Sequence, residues 1–276
     1  MLVNLKEILA PARRGKYAVG HFNTITLEMA RAVIMAAKEQ GMPVILAFDE
    51  QLAEVCPMDE FLSFTLPMAQ NAEVPVAVHY DHGRSFDGCV RALKAGFTSV
   101  DYDCSEENFE DNVRKVAELT RIAHALGASV EAELGHVPDA SELTGELDED
   151  GFTLPDEARE YVKMTHIDAL SIAVGTARGS YISQPRVDFD RIRAISEAAD
   201  IPLTLHGGSG LSENAFRKAI ASGVSKINIL TDLNIAAAQG VIQAVSSGAS
   251  TMTEIIPYMI YSVKVQAAEK IRLFKG

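Results

Sequence analysis

Tryptophan is absent from this chain of 276 residues, and cysteine occurs only at Cys56, Cys89 and Cys104. Three cysteines cannot all pair, and their spacing fits neither a disulfide framework nor a zinc ribbon. They read as free thiols in a reducing compartment. Positive charge is scarce too: 25 Lys and Arg stand against 38 Asp and Glu, a formal net charge of −13. Nucleic acids and anionic membranes are bound through excess basic charge, so this balance argues against both as partners. A small anionic substrate stays compatible, because a local site can be positive on an acidic protein. No apolar run approaches the roughly 20 residues of a membrane span. The first residues, MLVNLKEILAPARRGKY, lack the basic start, apolar run and cleavage site of a signal peptide. The expectation is a cytoplasmic protein.

The chain does have a regular alternation. Short apolar runs rich in Val, Ile and Leu fall at 17–22, 43–48, 74–80, 99–103, 129–134, 169–174, 202–206 and 226–230. They are apolar at successive positions, as strands covered on both faces should be. Helical patterns lie between them. In the first, Leu27, Ala30, Ile34 and Ala37 form one apolar face. Others fall at 58–71, 86–95, 106–126, 156–165, 188–199, 213–222 and 233–246, with a last stretch at 258–274 outside the repeat. Eight strand-then-helix units predict an α/β fold, a (β/α)8 or TIM barrel, with an extra C-terminal helix. With no linker visible, residues 1–276 read as one domain. A doubly wound open sheet is the main competitor on pattern alone. The segment 135–155 is acidic and long for a strand-to-helix loop, where about 2–6 residues are usual. It reads as an active-site cover or a solvated excursion.

Polar residues gather where the predicted strands end. The third run finishes His79-Tyr80-Asp81-His82, the fourth ends at Asp103, and the fifth carries Glu131 and Glu133. The seventh ends at His206 before Gly207-Gly208-Ser209-Gly210; the eighth carries Asn228 and leads into Thr231. In a barrel those ends share the face where active sites sit. His82 and His206 with one or two carboxylates make a nitrogen and oxygen ligand set for Zn2+ or a similar cation. Asp81 beside them can move a proton. The glycine-rich turn after His206 lets backbone N–H groups approach an anion, with Ser212 capping the next helix. The Asn228–Thr231 turn precedes a helix in the same way, and barrels commonly hold phosphate after their last two strands.

YAVGHFN, VPVAVHYDHGRS, SVEAELGHV, LTLHGGSG and KINILTDLN stand in this order. The series resembles the class II, zinc-dependent fructose-bisphosphate and tagatose-bisphosphate aldolases over nearly the whole chain. The resemblance implies a carbon–carbon lyase that makes or cleaves a ketose phosphate through a dihydroxyacetone phosphate enediolate. It implies His82 and His206 as zinc ligands, with Asp103 and Glu133 on the same ion or on a second divalent or monovalent cation. Asp81 would serve the C4 hydroxyl. Gly179, Gly207, Gly208 and Ser209, with Asn228, Ile229, Leu230 and Thr231, would hold the phosphate, and Asn23 would line the substrate site. The family also implies a homodimer or homotetramer.

The sequence departs from that pattern in GTARGSY, where the family usually has a zinc-binding histidine and this chain has Arg178. A guanidinium has no lone pair to offer a metal. His21 and His136 are weaker candidates for the missing ligand. AFDEQL replaces a segment that often contains serine near the substrate, and Cys104 stands where glycine or alanine is common. Two alternatives stay open. One is a barrel that binds a phosphorylated metabolite without catalysis, as a sensor or partner subunit. The other is an aldolase for an acid-bearing sugar phosphate held by Arg178.

Overall fold

The computed structural model describes residues 1–138, 151–179, 181 and 185–276. Eight strands form its centre: β2 (Val19–Asn23), β3 (Val44–Asp49), β4 (Val76–Gly83), β5 (Ser99–Tyr102), β6 (Ser129–Leu134), β7 (Ala169–Ile172), β8 (Leu203–Leu205) and β9 (Val224–Ile229). Every neighbouring pair is parallel, β9 pairs back to β2, and the β4–β5 pairing completes the ring. The fold is therefore the expected closed (β/α)8 barrel. A short β1 (Leu2–Val3) adds to the start of β4.

Strand alternation sorts the side chains. Val44, Leu46 and Phe48 of β3 join Val76, Val78 and Tyr80 of β4 in the apolar layer under the helices. The other parity points inward and changes character with depth. At the strand starts, Val19, Ile45, Ala77 and Ala169 form a small apolar cluster with Leu5, Ile8, Leu9 and Ala12 of α1 (Leu5–Gly15). Higher up, the interior is polar: His21, His79, Asp101, Glu131, Thr204 and Lys226 are fully buried. α1 is thus a plug that closes one end of the barrel. The sequence reading missed it, since Pro11 interrupts a short segment.

The outer ring comprises α2 (Leu27–Gln40), α3 (Met58–Asn71), α4 (Phe86–Ala95), α5 (Phe109–Ala125), α6 (Pro155–Thr165), α7 (Phe189–Ala199), α8 (Glu213–Ser222) and α9 (Thr231–Ser246). Side-chain caps start several of them: Thr26, Ser85, Asn108, Asp188 and, as expected, Ser212 each accept an early backbone N–H. The last helix, α10 (Met252–Phe274), begins six residues before the predicted start. Pro257 reads as a stop signal, but a capping box of Thr251 and Glu254 carries the first turn. Residues 139–150 of the predicted 135–155 loop lie outside the described residues.

α10 docks on α9 through a close approach at Gly240. A Cβ there would lie 2.8 Å from Met259 Cα and from the Tyr258 carbonyl oxygen, both α10 backbone. Backbone cannot rotate aside, so Gly240→Ala should destabilise the protein by about 1–3 kcal/mol. Urea denaturation checks this; an unchanged midpoint would mean that the helices separate at little cost.

Candidate active site

A defect in β4 builds the site. Successive strand residues normally face opposite sides. Yet both Asp81 and His82 turn into the barrel mouth, 1% and 7% exposed. The ladder to β5 slips between Tyr80 and Gly83, and His82 has a left-handed backbone with φ 53°. Such a bulge re-aims a side chain, and a non-glycine residue in that conformation stores strain that the surroundings must offset.

Asp81 is ringed by donors. Asn23 Nδ2 donates to its Oδ2 at 2.8 Å and Asn228 Nδ2 to its Oδ1 at 3.4 Å. His21 Nε2 lies 3.4 Å from Oδ1 and His82 Nε2 lies 3.7 Å from Oδ2. Burial opposes ionisation of Asp81, but His82 and His21 outweigh it and hold its carboxyl well below the usual range. Burial and the nearby Lys226 ammonium push His21 down to about 4.

Glu133 is the second centre. His82 Nδ1 lies 3.1 Å from its Oε1, and Arg178 Nη2 donates to both oxygens at 2.9 and 2.8 Å. Arg178 Nη2 also reaches Asp103 Oδ2 at 3.4 Å, while Nε is buried without a hydrogen-bond partner among the described residues. Burial pushes His82 down, but the Asp81 charge and the hydrogen bond to Glu133 lift it to about 9, against Arg178. Beneath lies Lys226, whose Nζ sits 3.0 and 2.9 Å from the Glu131 oxygens and donates to Asn228 Oδ1 at 2.9 Å. Burial opposes the charge on Glu131, but Lys226 and His206 hold its carboxyl low.

One ligand atom each from His82, Glu133 and His206 lies within 4.8 Å of the other two, all buried. Among the described residues His206 Nδ1 has no hydrogen-bond partner. Around them, burial together with Glu133 and Glu131 pushes Asp101 well above the usual carboxylate range. A buried region so rich in carboxylates, with an orphaned imidazole nitrogen, suits a cation. The residues therefore fit a three-ligand site, with Arg178 competing for Glu133. Neither weaker candidate joins this trio: His21 sits deeper beside Asp81, and His136 is exposed. Asp103 stands apart as well, accepting from Ser105 Oγ at 2.7 Å and facing Arg178.

A cavity of about 150 Å³ opens over the cluster. Its walls include the expected Asn23, Asp81, His82, Arg178, Gly179 and His206, and Gly207, Ser209, Asn228, Leu230 and Thr231. α9 starts at its edge, where Leu230 offers no side-chain cap and Ser209 Oγ instead accepts the Leu230 and Asp232 N–H groups, each at 3.3 Å. Gly207 has φ 69°, and a Cβ there would meet the Ala177 carbonyl oxygen at 2.1 Å. Two expected residues contribute differently. Gly208 packs under the wall, where a Cβ would meet the Asn228 carbonyl oxygen at 2.7 Å. The Ile229 side chain lies in the outer apolar layer, because strand parity turns it away from the barrel axis. Asp49 and Gln51 line the cavity without having been singled out as site residues. The AFDEQL departure was their signal.

A barrel with this strand-end chemistry is a familiar enzyme scaffold, and comparison identifies the kind. The family model for class-II fructose-bisphosphate aldolase matches residues 3–276, and the chain belongs to that family. Fructose-bisphosphate aldolase of Geobacillus stearothermophilus is 43% identical over 243 residues, 85% of this chain and 83% of that one. The uncharacterised protein YdjI of Escherichia coli K12 is 36% identical over 274 residues, 99% of this chain and 98% of its own length. The crystal structure of the YdjI aldolase from Escherichia coli K12 superposes with a TM-score of 0.89 at 35% identity, covering 99% of this chain and 97% of that one.

Two outcomes follow from this geometry. A cation bound by His82 must displace the proton that His82 keeps up to about 9. Apparent cation affinity should therefore rise with pH and flatten above that value, with a proton released on binding. Calorimetry in buffers of different ionisation enthalpy reads this, and binding without proton release would exclude His82. Removing the competitor in Arg178→Ala should tighten the cation roughly tenfold, equivalent to about 1.4 kcal/mol. Weaker binding instead would mean that Arg178 supports the site.

Proposed function

We propose that this enzyme is a metal-dependent aldolase that cleaves or forms a ketose phosphate, with dihydroxyacetone phosphate as one fragment. The observation that carries the reading is the convergence of His82, Glu133 and His206 beside an ionised Asp81 at the mouth of the barrel. Zn2+ suits two imidazoles and a carboxylate. When bound there, the cation would act as a Lewis acid toward the substrate carbonyl, so no lysine Schiff base is needed. Asp103, paired with Arg178, is a reserve carboxylate for a second divalent or a monovalent cation.

Asp81 takes the proton of the C4 hydroxyl as the C3–C4 bond breaks, and returns it in synthesis. Asn23 and Asn228 fix its carboxylate by donating to opposite oxygens. Gly179, Gly207 and Ser209, with the backbone from Asn228 through Ile229 and Leu230 to Thr231, hold the phosphate at the start of α9, and Gly208 supports them from beneath. The acid-bearing alternative gains little, because two carboxylates already engage Arg178.

One observation favours the non-catalytic alternative: Arg178 occupies both oxygens of Glu133. A ligand-binding sensor would tolerate that pairing, although it would not need Asp81. We further propose a cytoplasmic homodimer or homotetramer. Support for assembly comes from exposed Ile242, Val245 and Tyr261 on α9 and α10. Among the described residues no helix is long and apolar enough to cross a membrane.

Replacing Asp81 with Asn should lower kcat by about 10²–10⁴ while cation content stays intact. His206→Ala should lose the bound cation and turnover together. Elemental analysis with a coupled triose-phosphate assay checks both. Phosphate-ester binding by cation-free protein, with no turnover after zinc loading, would favour the sensor.

A further inference from the structure

The two sides of the cavity differ in chemistry. Where β8 and β9 end, Gly207, Ser209 and Thr231 offer backbone and a helix start, a surface for an anion. Along the ring of strands β3 lies two places from β9 and three from β8. It delivers Asp49 to the cavity wall, followed by Gln51. Asp49 pairs in register with Asp81 on β4, so two carboxylates stand side by side at adjacent strand ends. Both are buried, Asp49 7% exposed and Asp81 1%. Asp49 Oδ1 accepts the Gln51 backbone N–H at 2.9 Å, which fixes its aim, and among the described residues no lysine or arginine forms an ion pair with it. The nearest guanidinium, Arg178, is committed to Glu133 and Asp103.

Resting on the aldolase reading above, we propose that Asp49 selects the aldehyde half of the substrate, admitting a hydroxylated, uncharged end and rejecting a phosphorylated one. A hydroxyl reaching this wall donates to the carboxylate and accepts from the Gln51 side-chain amide N–H. A phosphate arriving there meets two adjacent carboxylates in a buried setting that screens charge poorly. The donors for phosphate lie instead at the β8 and β9 ends. The preferred ketose is thus a 1-phosphate and not a bisphosphate. The Asp-Glu-Gln run at 49–51 is then a specificity element, and Asp49 its determining residue.

The zinc-loaded enzyme tests this in the synthesis direction, where no ketose need be chosen in advance. Consumption of dihydroxyacetone phosphate is followed with glyceraldehyde or with glyceraldehyde 3-phosphate, each as both enantiomers. The expected result is at least a tenfold higher kcat/KM for glyceraldehyde. Asp49→Ser and the near-isosteric Asp49→Asn should shrink that ratio at least tenfold by raising kcat/KM for the phosphorylated aldehyde. Thermal melts identify a variant that fails to fold, and the other variant then carries the comparison. Preference for glyceraldehyde 3-phosphate in the unaltered enzyme, or an equal loss on both aldehydes in the variants, overturns the role of Asp49 and leaves the aldolase reading standing. Consumption with neither aldehyde overturns both.

Discussion

The ion pair between Lys226 and Glu131 sits at the centre of the barrel, with both side chains fully buried. The groups above are arranged from it. Lys226 also binds Asn228 Oδ1, which turns the Asn228 amide toward Asp81. Glu131 faces His206 Nε2 at 3.3 Å, which fixes that ring. A buried pair adds little net stability, because desolvating two charges consumes most of the attraction. Its effect here is orientational: it sets the tilt of the side chains that line the mouth.

Charge balance follows from the same arrangement. Asp49, Asp81, Asp101, Asp103, Glu131 and Glu133 gather around the axis, while Lys226 and Arg178 are the fixed cations among them. Burial together with like charge pushes Asp49 and Asp101 upward, which marks a site short of positive charge. Arg178 supplies part of that charge without lone pairs. It therefore keeps Glu133 ionised while occupying the oxygens that a cation would use. Burial opposes the Glu133 charge, and Arg178 is the largest influence outweighing it.

Much of this was legible in the sequence because the two strand parities meet different surroundings. Outward positions such as Val44, Leu46 and Phe48 needed to be apolar, and the eight-fold alternation was plain. The strand-end residues were legible for the same reason: barrel topology brings the ends of β4, β6, β8 and β9 to one mouth. What escaped were features that no period encodes. The bulge that turns both Asp81 and His82 inward depends on a positive φ at a histidine. Lys226, one charged residue in an otherwise uncharged strand, gave no hint of its buried partner. Ile229 belongs to the phosphate-holding run that the resemblance implies, although parity points its side chain outward.

α1 has a consequence for traffic. By sealing the strand starts with Leu5, Ile8, Leu9 and Ala12, it turns the barrel into a blind well. Whatever reacts over His82 and Asp81 enters and leaves through one opening. Substrate and both product fragments therefore share that opening, and neither fragment can leave through the strand starts.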